Sequence, residues 1–207
     1  MCTNLTNLII QRILTTNWMI SQDIFQMDSI LSLDMSLSMP MIVRQKHQQC
    51  MDILRTPLVL FLSEILPNLL EINLSNISTN YTETFLSFSR HCPHLKKVTW
   101  NNIINNVFFG LHGRLLKKAK NLKEIIMDDA NFYDNEYHRA TFLFCHCSKA
   151  LERVSIRNMK CDDEVVSQDA LIKFVRNVPT LRWFRSDLTI ENMNMLHLER
   201  PEIVLLN

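Results

Sequence analysis

The residues best suited to chemistry in this chain are cysteines and histidines. Cys145-His146-Cys147 stand together, His138 precedes them by one or two helical turns, and Cys161-Asp162-Asp163-Glu164 follow in the next loop. Thiolates, imidazoles and carboxylates are zinc ligands, yet a structural zinc site draws on two ligand pairs with two to four residues between the members of each. A single residue separates Cys145 from Cys147, which in a helix sends the two side chains to different sides. Cys145 also directly follows Phe144, a core-type residue, and a free thiol packs as a small apolar group. The pattern predicts a packing cysteine, with no metal and no cofactor. A thiol or metal enzyme using the Cys145 to Glu164 region is the alternative that stoichiometric metal in the purified protein would revive.

Cys92 lies beside His91 and near His94, the residue types of a thiol hydrolase, in which a histidine must activate the nucleophile and a third group must orient the histidine. Its place at the end of a helical pattern, matching Leu66, Ala119, Ser148 and Val178, assigns it to packing instead. Gly110-Leu111-His112-Gly113 has the spacing of an RNA-binding Gly-x-x-Gly loop, which belongs to a basic sheet-and-helix module. Here it falls inside a helical pattern and reads as close helix packing. These are the chain's only glycines, too few for phosphate-cradling loops. With 22 basic against 21 acidic residues the net charge is +1, and nothing in it draws the chain to nucleic acid or to an anionic membrane. A nucleic-acid site would fall to Arg153, Arg157 and Lys117.

The elements that hold these residues recur. Leu95, in Cys92-Pro93-His94-Leu95-Lys96-Lys97-Val98-Thr99-Trp100, has counterparts at Leu69, Leu122, Leu151, Leu181 and Ile203, so successive anchors lie 26, 27, 29, 30 and 22 residues apart. Three places after the anchors stand Ile72, Val98, Ile125, Val154, Phe184 and Leu206. Seven places before them stand Leu62, Phe88, Leu115, Phe144, Phe174 and Leu196. Five places after come Leu74, Trp100, Met127 and Ile156, with Ser186 the exception. Pro67, Pro93, Pro179 and Pro201 share the position two before the anchor. Apolar residues alternating after the anchor predict a short strand, and helical spacing before it predicts a helix that the proline stops. A unit of this kind cannot bury its apolar face alone, whereas stacked neighbours form one continuous core.

This Leu-x-x-Ile/Val-x-apolar pattern, after a helix ending in Cys-Pro or Val-Pro, resembles leucine-rich repeats of the ribonuclease-inhibitor-like and F-box-associated type, over about residues 53–207. The resemblance implies an α/β fold: a right-handed solenoid of about six repeats, with a short parallel sheet on the concave face and helices on the convex face. One position departs from the family. Its usual Asn or Cys is replaced by Ile77, Ile103, Ala130, Met159 and Thr189, while Asn76, Asn102, Asp129 and Asn158 stand one place earlier.

Helices are expected from about Pro57 to Leu66, Tyr81 to His91, Val107 to Lys120, Glu136 to Ser148, Ser167 to Val178 and Ile190 to Leu198, with loops on the strand-to-helix side. Residues 1–52 read as an irregular N-terminal repeat or cap. Helical spacing marks Leu5, Leu8, Ile9 and Ile13, and a degenerate strand covers Ile30 to Met35. The Leu-Pro start of an F-box is absent. The N-terminal segment lacks a basic region and a long apolar run, no stretch approaches the length of a membrane span, and six irregularly spaced cysteines fit reduced thiols. The expected location is therefore intracellular, cytoplasmic or nuclear.

Strand residues pointing away from the core are Glu71, Asn73 and Ser75; Lys97, Thr99 and Asn101; Glu124, Ile126 and Asp128; Arg153, Ser155 and Arg157; and Trp183, Arg185 and Asp187. Arg153, Arg157, Trp183 and Arg185 concentrate at the C-terminal end of this ladder, and Trp with Arg is the pairing enriched at interface hot spots. The expected function is non-catalytic binding of a protein partner through the concave face. The resemblance also implies a narrower alternative, the substrate-recognition arm of a ubiquitin-ligase-type complex. The strand-like Ile203-Val204-Leu205-Leu206, with no polar segment after it to cover the last repeat, predicts that the chain is a fragment of a longer solenoid or that its C-terminal edge docks on a partner or a second copy.

Overall fold

In the computed structural model the described residues are 7–9, 32–34, 60–76, 81–105, 120–132, 150–161 and 163–207. In chain order their strands are β1 (Asn7–Ile9), β2 (Ser32–Asp34), β3 (Glu71–Asn73), β4 (Lys97–Thr99), β5 (Ile104–Asn105), β6 (Glu124–Ile126), β7 (Asn131–Phe132), β8 (Arg153–Ser155), β9 (Lys160–Cys161), β10 (Glu164–Val165), β11 (Trp183–Arg185) and β12 (Val204–Leu206). Eight of them form one sheet in the order β1-β2-β3-β4-β6-β8-β11-β12. Every pairing in it is parallel. The protein is a mixed α/β structure built on this sheet.

Parallel neighbours need a crossover of a dozen or more residues, which the anchor spacing supplies. Helices Tyr81–His91, Gln168–Asn177 and Ile190–Glu199 lie in such crossovers, and residues 60–65 are helical ahead of β3. Two starts are capped by hydroxyls: Ser167 accepts from the Ala170 N–H and Thr189 from the Asn192 N–H, each at 3.3 Å. Helices and sheet close one core. Ile72, Val98, Ile125, Val154 and Phe184 from the strand centres meet Leu62, Phe88, Leu171, Phe174 and Leu196 from the helices. The rings of Phe174 and Phe184 pack at 5.3 Å between centroids, tilted by 42°.

The backbone joins neighbouring strands by the same pattern several times. The Leu70 carbonyl accepts from the Lys96 and Lys97 N–H groups, that of Lys96 from Lys123 and Glu124, that of Lys123 from Glu152 and Arg153, and that of Glu152 from Arg182 and Trp183. The last strand breaks it. The Ile203 N–H turns back to the Arg200 carbonyl just as those of Leu69, Leu95 and Leu181 turn back to Leu66, Cys92 and Val178, but only one residue after it, Val204, donates to Arg182. One residue fewer separates the Pro201 turn from β12, so Leu205, not Leu206, pairs with Phe184. Leu206 instead partners Arg185, at the position aligned above with the residue after the strand centre.

Two other expectations change. Asn7–Ile9, placed in a helical pattern, is a strand whose pairing with Ser32–Asp34 overrides local spacing. The segments expected as loops after β4, β6 and β8 instead supply β5, β7 and β9, which pair in parallel, while β10 adds antiparallel to β9. Asn76, Asn102, Asp129 and Asn158 have φ of 65°, 57°, 57° and 54°. Asn and Asp tolerate this left-handed backbone better than other side chains. The turn they make drops Ile103, Ala130 and Met159 into the core, which is why those positions are apolar. The helices expected over Val107 to Lys120 and Glu136 to Ser148 fall on residues 107–119 and 136–148, outside the described residues, and Lys120 is in a turn.

Candidate partner-binding face

Alternation along each strand puts its central residue in the core and the flanking two on the opposite face. Parallel register then aligns those flanking residues into rows. The first row reads Glu71, Lys97, Glu124, Arg153, Trp183 and Val204 across β3, β4, β6, β8, β11 and β12. The second reads Asn73, Thr99, Ile126, Ser155, Arg185 and Leu206. A third, just beyond the strands, holds Ser75, Asn101, Asp128, Arg157 and Asp187.

All four residues singled out from the sequence lie on this face. Arg153 is exposed, while Trp183, Arg185 and Arg157 are partly covered. Register makes Arg153 and Trp183 direct neighbours, and the guanidinium carbon sits 4.7 Å from the indole centroid. Such stacking favours the cation over the electron-rich ring. Glu124 reaches Arg153 Nε at 3.6 Å and Lys97 Nζ at 3.2 Å, so the first row alternates in charge.

Two residues give the face its internal order. Asp128 Oδ1 accepts from Ser155 Oγ at 2.6 Å and from the Arg157 N–H at 2.9 Å, while Oδ2 faces Arg185 Nη1 at 3.5 Å. Glu124 does the same for Lys97 and Arg153. Sequence reasoning placed both in the ladder but gave neither a role. The signal was there, since each carboxylate stands one unit before an arginine at the equivalent or adjacent position.

Cys92 and His91, the described thiol and imidazole candidates, stand at the end of helix Tyr81–His91 and not on this face. Cys92 is buried, with its thiol 3.3 Å from the Leu66 carbonyl and 3.5 Å from that of Ser63. Burial pushes its pKa up to about 12, which suppresses the thiolate a nucleophile needs. His91 turns to Ser63 and Ser87, each hydroxyl 3.3 Å from its Nδ1. Cys145, His146, Cys147, His138, Asp162 and the Gly110 to Gly113 run lie outside the described residues. Asp163, exposed, accepts from Asn131 Nδ2 at 2.6 Å. Among the described residues no group of three or more His, Cys, Asp or Glu side chains is placed to hold a metal ion, and no helix is long and apolar enough to cross a membrane.

No protein-family model matches this chain. A search of curated proteins likewise returns no match.

Proposed function

We propose that the chain is a leucine-rich-repeat solenoid that binds a partner protein, without catalysis, through the face of its long parallel sheet. The observation that carries this reading is Trp183, a large aromatic left partly open on a mostly polar face and bracketed by Arg153 and Arg185. Tryptophan and arginine are the side chains that most often dominate binding energy when a partner covers them. The in-register rows support the reading too, because they present about a dozen side chains on a rigid frame, where little order must be gained on binding. Arg153, Arg157, Trp183 and Arg185 are the proposed contacts.

The test is affinity capture from lysate with the intact protein beside a Trp183→Ala/Arg185→Ala variant of matched thermal stability. Specific partners held by the intact protein and lost by the variant are the expected result. Partners retained equally by both would remove binding from this face.

A further inference from the structure

We infer that the sheet face receives an acidic peptide segment whose carboxylate pairs with Arg157, an inference that rests on the protein-binding reading above. It begins from a relay of hydrogen bonds along the third row. The Asn101 N–H donates to Ser75 Oγ at 3.1 Å, the Asp128 N–H to Asn101 Oδ1 at 2.9 Å, and the Arg157 N–H to Asp128 Oδ1 at 2.9 Å. Each step needs a side-chain oxygen on one strand to accept from the backbone of the next. Arg157 has none, because a guanidinium only donates. The relay ends there, and Arg157 Nε is buried with no hydrogen-bond partner among the described residues. A charged donor in that condition is costly, and a broken local rule of this kind is where function is expected.

The carboxylates nearby are already engaged. Asp128 holds Ser155, the Arg157 N–H and Arg185; Asp187 Oδ2 accepts from the Asn158 N–H at 2.7 Å; Glu124 is shared by Lys97 and Arg153. None of these carboxylates among the described residues pairs with the Arg157 guanidinium, and because the side chain is only partly buried, its solvent-side edge, not the enclosed Nε, is where a carboxylate from outside would attach. Its surroundings fit a peptide better than a free anion. On β12, Val204 is 54% exposed beside Trp183 and Leu206 is 41% exposed beside Arg185, both on the arginine-bearing face. Strands lie about 4.8 Å apart, so β8 to β12 spans about 10 Å, the reach of three or four extended residues. An Asp or Glu followed within that distance by an apolar residue matches both features at once.

Two libraries of N-acetylated, C-amidated, fluorescently labelled hexapeptides test this: one with Glu fixed at the third position, one with Gln, and apolar or small residues elsewhere. Retention on the immobilised full chain is compared for the native protein, Arg157→Gln and Trp183→Ala, with thermal melting as the control for folding. The native protein is expected to retain the Glu library about tenfold over the Gln library, the size of one charge-assisted contact, and Arg157→Gln to abolish that preference. Should Arg157→Gln melt early, Arg157→Lys carries the comparison, with a reduced preference expected because an ammonium lacks the planar fork. Equal retention of both libraries, retention of neither, or a Glu preference surviving in folded Arg157→Gln overturns the inference. If Trp183→Ala loses both libraries while the native protein shows no Glu preference, the binding face stands and the acidic ligand falls. If neither Trp183→Ala nor Arg157→Gln changes retention, both fall.

Discussion

Arg153 lies over the indole of Trp183 at 4.7 Å because β8 and β11 pair in a register that makes these two residues direct neighbours. The contact joins two side chains that are otherwise open to solvent, and Glu124 steadies the arginine from the other side. It orders the face without carrying much of the fold's stability.

Arg153→Ala is therefore expected to lower unfolding free energy by only about 0.5–1 kcal/mol, the range for an exposed cation–π pair. Urea denaturation measures it. A loss of about 3 kcal/mol would make Arg153 a structural residue and remove it from the binding set.

Asp128 is the opposite case. Asp128→Ala leaves the Ser155 hydroxyl, the Arg157 N–H and the Arg185 guanidinium without their shared acceptor. The expected cost is about 1–3 kcal/mol. Asp128→Asn keeps the Oδ1 acceptor and should cost less. The two variants compared by urea denaturation check this, and equal losses would deny Asp128 its accepting role.

Ser186 occupies the core position that Leu74, Trp100, Met127 and Ile156 fill just after other strands, and its buried Oγ has no hydrogen-bond partner among the described residues. Ser186→Ala removes an unsatisfied hydroxyl at almost constant volume. Stability is expected to hold or to rise by about 1 kcal/mol. A clear loss in thermal or urea unfolding would mean that the hydroxyl is satisfied.

The Cys92 thiol is raised from its ordinary 9.0 to about 12 by burial. A raised folded-state pKa stabilises the protein fully below the unfolded thiol's pKa. That contribution then declines as pH climbs past about 9 and is gone once it passes about 12. At pH 8 Cys92 should resist iodoacetamide in the native protein and react on unfolding, as peptide mass mapping would show. Rapid native alkylation would contradict the burial.

Much of the sheet was legible in the sequence, and the physical reason is the strand period. Leu69, Leu95, Leu122, Leu151 and Leu181 each lead into a strand beginning two residues later, and alternation alone sorted Ile72 and Val98 into the core and Asn73 and Thr99 onto the open face. The last strand was misaligned by one residue because Ile203 keeps the buried place of the anchor leucines while the chain after it is shorter. The second sheet escaped notice because two-residue strands such as Ile104–Asn105 carry no period, and the cue was the left-handed Asn or Asp before each. On the face itself, Arg153 and Trp183 were found by type, since aromatic and guanidinium groups announce themselves. The relay from Ser75 to Arg157 was not, because it depends on which backbone N–H each side chain meets across strands 26 to 29 residues apart.

The most direct test of the central claim is site-specific photocrosslinking with benzophenone-bearing residues. One is placed on the open sheet face at Thr99 and another at exposed Lys173 on helix Gln168–Asn177, in the full chain exposed to lysate. Partner adducts from Thr99, absent at Lys173 and suppressed by Trp183→Ala, are the predicted result. Adducts from Lys173 alone would place binding on the helices and contradict the account.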